Sequence, residues 1–250
     1  MQQREQPFPQ VPEDWQRALA IVAHPDDLEY GGASAVAKWT SQGKEVIYLM
    51  VSRGEAGIDS MDPSLVAPLR SQEEIDAAAV VGVNEVEFLD YPDGVIEYGL
   101  ALRRDLSRAI RRHRPDVLVT INYGLKFSSG HLNMADHRHV GLAVLDAARD
   151  AGNRWIFPEL MEERIEPWNN VRFVAVLGAG AEAGHGIDVT GFLESGLDSL
   201  RQHRAYLDNL ETSAEDTYRF LTAHAQEAGR ALGCEHGMMV ELVLINEPWG

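Results

Sequence analysis

Residues 18–27 read Ala-Leu-Ala-Ile-Val-Ala-His-Pro-Asp-Asp, an apolar run that leads directly into one imidazole and two carboxylates. A short apolar segment that stops at a proline is typical of a buried β-strand, so a first strand is predicted over residues 18–23. Charged groups are rarely placed at the end of such a strand for packing alone, because burying an unpaired charge is costly. The junction is therefore a candidate functional site, with side chains suited to a divalent metal and a water molecule beside a general base.

Beyond this stretch, short apolar segments alternate with helix-length segments along the chain. Further strands are predicted at 46–51, 86–89, 117–121, 171–177 and 238–245. Helices are predicted at 31–42, 68–81, 100–113, 135–151, 192–210 and 214–232. The alternation is typical of βαβ units, so we expect a single α/β domain with a mainly parallel sheet and helices on both faces. The polar segment 159–170 is expected to form a loop or an insertion, and the glycine-rich tract 177–186 a flexible loop.

The composition argues against several classes of protein. The 250 residues carry a formal net charge of −17, with 22 basic against 39 acidic residues, which disfavours binding to nucleic acid or to an anionic membrane. The one cysteine, Cys234, excludes an intrachain disulfide and a cysteine-rich zinc site. Residues 1–13 are predicted to be a flexible leader without the apolar core of a signal peptide, ahead of a domain over 14–250. No run has the length of a membrane span, so a cytoplasmic enzyme is expected, either a monomer or a homo-oligomer.

Polar clusters follow each of the first four predicted strands. These clusters are His24–Asp27, Ser52–Gly57, Asp90–Gly94 and Asn122–Asp136. Ligands of open α/β sheets bind beyond the carboxyl ends of the strands. The four clusters are therefore expected to meet at one rim of the sheet and to form one site.

Three side chains at this rim suit a catalytic metal. His24 and Asp27 lie three residues apart across a turn, and His137 opens the helix after the fourth strand. Two neutral imidazoles and one carboxylate leave a tetrahedral zinc open to water, whose pKa the metal lowers to about 7. Asp26 would then remain unligated as a general base. Alternatively, Asp136 caps its helix and the neighbouring histidines are solvated.

The motifs resemble those of the PIG-L/LmbE-like zinc-dependent N-deacetylases. The resemblance rests on Ala23–Asp27 with Glu29 and Gly31-Gly32, Ser52–Gly57, Arg70–Glu73, Leu89–Gly94, and Asp136–Arg138 with Val140-Gly141. These blocks follow one another in the family's order and cover residues 18–151. The first block is highly specific, and the others are strong only together.

The resemblance implies a Rossmann-like fold and hydrolysis of N-acetyl groups on amino sugars, such as glucosamine linked to inositol. It implies that zinc, with ferrous iron as the alternative, is bound by His24, Asp27 and His137, and that Asp26 is the base. It further implies that Arg70 and Asp93 contact sugar hydroxyls. From the residues alone, Arg70 could equally lie on a helix surface, and Asp93-Gly94 is also an ordinary turn signal.

One position departs from the family pattern. Met134 stands three residues before His137, where relatives usually carry a histidine that helps to stabilise the oxyanion or the leaving group. His131 and His203 are candidates to replace it, His236 is a weaker one, and a surface or capping role is an equal alternative for each. The substrate would be a small N-acyl amino sugar or glycoconjugate. The alternatives are an amidase for a thiol conjugate or an antibiotic intermediate, and a metal- or sugar-binding protein without catalysis.

Overall fold

A computed structural model describes residues 8–127, 129–180 and 182–246. Within these residues the chain forms one seven-stranded sheet with the strand order β3-β2-β1-β4-β5-β7-β6. The strands are β1 (Arg17–Val22), β2 (Glu45–Met50), β3 (Val86–Phe88), β4 (Val117–Ile121), β5 (Phe173–Leu177), β6 (His185–Asp188) and β7 (Gly237–Leu244). The first five strands are mutually parallel, and β7 runs antiparallel between β5 and β6. The predicted α/β fold with a mainly parallel sheet is confirmed.

Helices cover both faces of this sheet, as predicted. The helices are α1 (Asp27–Gly31), α2 (Ala33–Ser41), α3 (Pro63–Val80), α4 (Leu100–His113), α5 (Ala135–Asp150), α6 (Glu159–Glu162), α7 (Leu193–Leu200), α8 (Arg204–Asp208) and α9 (Ala214–Leu232). Side chains of β1 alternate between the two faces: Ala18 and Ala20 pack with α2, whereas Leu19 and Ile21 pack with α4 and α5. This double burial explains why the strand is apolar at every position from Ala18 to Val22.

Several element boundaries differ from the prediction. The helix expected over 31–42 is interrupted at Gly32, where a Cβ atom would lie 2.2 Å from Leu177 Cδ1. The helix expected from Pro68 begins five residues earlier at Pro63, which follows an Asp62 side chain that accepts from Ser64 N–H at 2.9 Å. An Asp N-cap before a proline at the first helical position is a standard start signal that the prediction overlooked.

The C-terminal half contains further corrections. The helix expected over 192–210 is two helices, α7 and α8, separated at residues 201–203. The tract 177–186 is not simply a flexible loop, because its end forms β6, which pairs with β7. The segment 159–170 contains the short helix α6. Backbone pairing across the sheet edge stabilises β6, and this is a tertiary effect that the glycine-rich composition conceals.

The predicted leader also differs in its described part, residues 8–13. Gln10 forms a parallel bridge with Gly186, and Val11 is buried against the core. Val11 N–H donates to Gly186 O at 2.9 Å, and Gly186 N–H donates to Pro9 O at 2.9 Å. This segment is therefore anchored beside β6, whereas residues 1–7 lie outside the described part of the chain. The domain start at residue 14 stays a prediction.

Candidate metal centre and active site

The first turn after β1 aims two carboxylates in different directions. The backbone N–H groups of Ala23 and His24 both donate to Asp27 Oδ2, at 3.1 and 2.9 Å, which closes the turn. Asp26 adopts the left-handed conformation with φ 88° and ψ −20°, which is uncommon for a residue with a side chain. The turn therefore separates the Asp26 carboxylate from that of Asp27, although the two residues are adjacent.

His24, Asp27 and His137 come together as predicted, and all three are buried. Asp27 Oδ1 lies 2.9 Å from His137 Nε2, and Asp27 Oδ2 lies 3.6 Å from His24 Nδ1. One ligand atom from each residue lies within 4.8 Å of the others. His137 Nε2 is buried, and among the described residues its polar contact is the one with Asp27 Oδ1. A buried imidazole nitrogen that faces a carboxylate and a second imidazole fits a divalent metal site.

Neighbouring side chains orient both imidazoles toward this position. His137 Nδ1 lies 2.9 Å from Asn133 Oδ1, which leaves Nε2 facing Asp27. His24 Nε2 lies 3.0 Å from Asp93 Oδ1 and 3.2 Å from Asp136 Oδ2, which leaves Nδ1 facing Asp27. Metal-bound histidines usually donate their second ring N–H to an oxygen in this way. Each imidazole thus has one nitrogen hydrogen-bonded and one available as a ligand.

A second group, His24 with Asp93 and Asp136, also has closely spaced ligand atoms. Both oxygens of its Asp136 carboxylate already accept backbone hydrogen bonds, however, whereas among the described residues only one oxygen of Asp27, Oδ2, does so. Asp136 accepts from Gly94 N–H at 2.7 Å and Ile96 N–H at 3.1 Å, and Asp93 accepts from Ala56 N–H at 2.8 Å. The group of His24, Asp27 and His137, in which Asp27 Oδ1 accepts no backbone hydrogen bond from a described residue, is therefore the better candidate. Asp136 does not cap α5, because its carboxylate instead accepts the backbone N–H groups of Gly94 and Ile96.

The charges around His24 and Asp27 favour a cation at this position. Burial alone lowers the pKa of His24, but the carboxylates of Asp27, Asp136 and Asp93 outweigh it and raise the pKa well above the ordinary value. Burial acts to raise the pKa of Asp27, but His137 and His24 act more strongly and hold it far below the ordinary value. The same negative potential that retains a proton on His24 attracts a divalent metal ion, which would compete with that proton.

Asp26 faces Arg70 rather than the metal set. Asp26 Oδ1 lies 2.8 Å from Arg70 Nη2, and Arg70 also donates to the carbonyl oxygens of Pro25 and Gly54. Arg70 is only 2% exposed, so the helix-surface alternative is wrong. Burial raises the pKa of Asp26 above its ordinary value, although the Arg70 charge acts in the opposite direction. A raised pKa suits a group that accepts a proton near neutral pH.

The loop after β2 fits closely around the Arg70 guanidinium. A Cβ atom on Gly54 would lie 2.4 Å from Arg70 Nη1, and Gly54 has a φ of +65°, so no other residue fits there without rearrangement. A Cβ atom on Gly57 would lie equally close to Arg70 Nη1, at 2.4 Å. The glycines of the Ser52–Gly57 block therefore make room for Arg70.

The two predicted replacements for the missing histidine lie in very different places. His131 is an exposed loop residue whose Nδ1 lies 3.0 Å from Ser129 Oγ. His203 is fully buried, with Nε2 3.6 Å from carboxylate oxygens of both Glu29 and Glu74. The His203 imidazole has no exposed surface, which argues against the predicted direct donor role. Met134 precedes α5 as its N-cap residue and is 50% exposed.

The prediction missed four residues around Asp26 and His137. These are Asn133, Glu74, Tyr206 and Tyr30. Asn133 orients His137, and Glu74 Oε2 accepts the Asp26 N–H at 3.0 Å. The Tyr206 ring lies 4.2 Å from the Arg70 guanidinium carbon, and burial together with the Asp26 charge raises the pKa of Tyr30 to about 12. Only Asn133 had a local signal, its position four residues before His137.

We expect Asn133→Ala to weaken metal binding by about 10- to 100-fold, because a metal-bound histidine loses its orienting partner. The measurement is competition with a fluorescent chelator, with Asn84→Ala as the matched control, since Asn84 is exposed between α3 and β3. Equal affinity in the Asn133 variant and the wild type would show that His137 needs no such partner.

The His203 imidazole should make stability depend on pH. Burial lowers its pKa, but the Glu29 and Glu74 carboxylates outweigh this and raise it from 6.5 to about 9. A raised folded-state pKa stabilises the protein fully below pH 6.5, and this stabilisation is lost as the pH rises through about 9. The free energy of unfolding should therefore fall by about 3 kcal/mol over this window in the wild type, and by clearly less in His203→Gln. Urea unfolding at several pH values measures this free energy. If it falls equally with rising pH in the wild type and in His203→Gln, the prediction is wrong.

The sequence of this chain is similar to one protein-family model and to several known proteins. Residues 19–148 match the family model described as PIG-L, GlcNAc-PI de-N-acetylase. The diacetylchitobiose deacetylase of Thermococcus kodakarensis is 31% identical over 141 residues, which cover 56% of this chain and 51% of that protein. A Kineococcus radiotolerans 1D-myo-inositol 2-acetamido-2-deoxy-alpha-D-glucopyranoside deacetylase is 29% identical over 174 residues, which cover 54% of this chain and 48% of that protein. The match thus spans about half the length of these two relatives.

A solved structure extends the likeness over most of the fold. The N,N'-diacetylchitobiose deacetylase of Pyrococcus horikoshii, solved with an inhibitor, superposes with a TM-score of 0.84 at 25% identity. The superposition covers 93% of this chain and 85% of that protein. Among the described residues, no helix combines the length and the hydropathy that a membrane crossing requires.

Proposed function

This chain belongs to the PIG-L family, and on that premise we propose that it is a metal-dependent hydrolase that removes an N-acetyl group from an amino sugar or glycoconjugate. The observation that carries the proposal is the buried group of His24, Asp27 and His137, whose ligand atoms lie within 4.8 Å of one another, with Asp26 in the same turn. The similarity to deacetylases of acetylated glucosamine derivatives supports the reaction and the substrate class.

The metal ion would be held by His24 through Nδ1, Asp27 through its carboxylate, and His137 through Nε2. A bound zinc or ferrous ion supplies a Lewis acid for the amide carbonyl and lowers the pKa of a water molecule to about 7. Asp93, Asp136 and Asn133 hold the imidazoles with their ligand nitrogens facing Asp27. These contacts pre-form the site, so little ordering is needed when the ion binds.

Asp26 is the general base of the proposed reaction. Its carboxylate accepts a proton from the attacking water, and the O–H bond breaks as the new C–O bond to the acyl carbon forms. When the C–N bond breaks, the same carboxyl group returns the proton to the leaving amine, so that acetate and a free amino sugar are released. Arg70 holds one Asp26 oxygen at 2.8 Å and so keeps the carboxylate oriented through both steps.

A substrate with an apolar part is the second candidate, and the surroundings of His137 favour it. The Phe127 ring lies edge-on to the His137 ring, with 6.2 Å between centroids, and is 37% exposed. Met134, at the position where the family resemblance implies a histidine, adds a second exposed apolar side chain near the start of α5. These side chains would contact an apolar acyl or aglycone group, as in a thiol conjugate or an antibiotic intermediate.

The test combines metal content with amine release. Protein purified with and without air is analysed for zinc and iron by mass spectrometry, and new amines are detected with fluorescamine. The panel contains N-acetylglucosamine, N,N'-diacetylchitobiose, N-acetylglucosaminyl-inositol and an N-octanoyl glucosamine. About one metal ion per chain together with amine release from the acetylated sugars supports the proposal. Cleavage of the octanoyl sugar alone favours the second candidate, and no metal uptake after zinc is supplied rejects the ligand set.

A further inference from the structure

Three ionisable side chains form a buried cluster directly behind Asp26. Glu29, Glu74 and His203 are at most 5% exposed, and His203 Nε2 lies 3.6 Å from Glu29 Oε2 and 3.6 Å from Glu74 Oε2. Buried charges are costly unless they are paired, so such a cluster needs a reason beyond packing. The proposed hydrolysis does not bring any of the three into contact with the substrate.

The cluster contacts the catalytic turn through one hydrogen bond. Glu74 Oε2 accepts the Asp26 N–H at 3.0 Å, and both residues are buried. Asp26 is left-handed, with φ 88°, and a non-glycine residue holds this conformation only where its surroundings enforce it. Without an acceptor at Glu74, the buried Asp26 N–H would lose its partner and the turn would lose this restraint.

The same cluster joins the elements that surround the Asp26 carboxylate. Glu29 lies in α1, and its Oε1 accepts from the Ser199 hydroxyl of α7 at 2.9 Å. His203 is the N-cap residue of α8, the helix that carries Tyr206 over the Arg70 guanidinium. Glu74 lies four residues after Arg70 in α3, so one helix supplies the backbone acceptor and the side-chain partner of Asp26.

We propose that Glu74, held in place by His203 and Glu29, is a positioning residue that fixes the strained backbone of Asp26 and thereby aims its carboxylate. This role rests on the proposed function of Asp26 as the base. The hydrogen bond from Asp26 N–H requires an oxygen acceptor at Glu74 but not a negative charge. Arg70 fixes the carboxylate end of Asp26, and Glu74 fixes its backbone end.

Two substitutions of similar size test whether Asp26 N–H needs a hydrogen-bond acceptor at position 74. Glu74→Gln keeps an oxygen that accepts the Asp26 N–H, whereas Glu74→Met fills the space without one. We expect Glu74→Met to lower kcat by about 10- to 100-fold with KM and metal content unchanged, because small misplacement of a reacting group costs this much. Glu74→Gln should restore kcat to within about 3-fold of the wild type, since the acceptor is retained.

Glu73→Met is the matched control on the same helix. Glu73 is also buried, and it accepts the Ala205 N–H at 2.6 Å, so its substitution removes a comparable hydrogen bond that does not involve Asp26. Glu73→Met should lower the melting temperature but leave kcat near the wild-type value. If Glu74→Met does not fold, His203→Gln weakens the cluster from its other side and should lower kcat at unchanged KM.

A second readout does not depend on turnover. Hydrogen exchange of the Asp26 amide, followed in the peptide that contains the first turn, should be faster in Glu74→Met than in Glu74→Gln or the wild type. If the wild type hydrolyses nothing on the panel, the proposed function fails while the exchange data still test the positioning. Equal exchange and kcat in all three proteins would overturn the inference. Equal losses of kcat in Glu74→Met and Glu74→Gln would also overturn it. The same holds if the wild type binds a second metal ion per chain and His203→Gln does not.

Discussion

Asp26→Asn should lower kcat by about 10²- to 10⁴-fold, the usual contribution of a positioned general base. Asparagine has the same shape and can adopt the same left-handed conformation, so the turn and the Arg70 contact to an oxygen are retained. The amide does not accept the proton of the attacking water, and this accounts for the loss. Metal content should stay near the wild-type value, because Asp26 faces Arg70 rather than the metal set. Steady-state amine release and metal analysis on the same preparation measure both quantities.

The control for this substitution lies in the same turn. Asp27→Asn changes a neighbouring carboxylate but should reduce metal content as well as kcat, because Asp27 faces both imidazoles. Full activity in Asp26→Asn would reject Asp26 as the base. Loss of metal from Asp26→Asn would instead place this carboxylate in the metal set and reverse the roles of the two aspartates.

His137→Ala should lose the metal and, with it, essentially all amine release. This substitution removes one of the three proposed protein ligands, a buried nitrogen that faces the Asp27 carboxylate at 2.9 Å. Two ligands bind zinc far more weakly than three, so added zinc should restore little activity at micromolar concentration. The wild type treated with a chelator should lose activity to the same extent and recover it when zinc or ferrous iron is returned.

A second histidine substitution separates this effect from general damage. His224→Ala alters an exposed imidazole on α9, whose Nδ1 lies 3.0 Å from Phe220 O, and should change neither metal content nor turnover. The melting temperature of the metal-free proteins should be similar for His137→Ala and the wild type. If His137→Ala keeps one metal ion per chain, the metal site lies elsewhere, and the group of His24, Asp93 and Asp136 and the group of Glu29, Glu74 and His203 are the next candidates.

The local sequence pattern was sufficient for several elements, including the strand that leads into the site. The apolar run before His24 predicted β1 to within one residue at each end, and the bounds of α4, β4 and α9 agree with the prediction. The polar clusters after the strands meet at one rim because the carboxyl ends of parallel strands lie at the same edge. The grouping of His24, Asp27 and His137 follows from this rule and from the spacing within one turn.

The tertiary structure alone decided the partners of these side chains. His24 Nε2 meets Asp136 across 112 positions of the chain, and the Asp26 N–H meets Glu74 across 48. It also decided that Arg70 and His203 are buried, although both lie in segments that could equally have been solvent-exposed. Periodicity reports which face of an element is apolar, and a turn motif reports local backbone geometry. Neither reports which distant side chain completes a buried hydrogen bond, because that depends on how helices and strands far apart in the chain pack together.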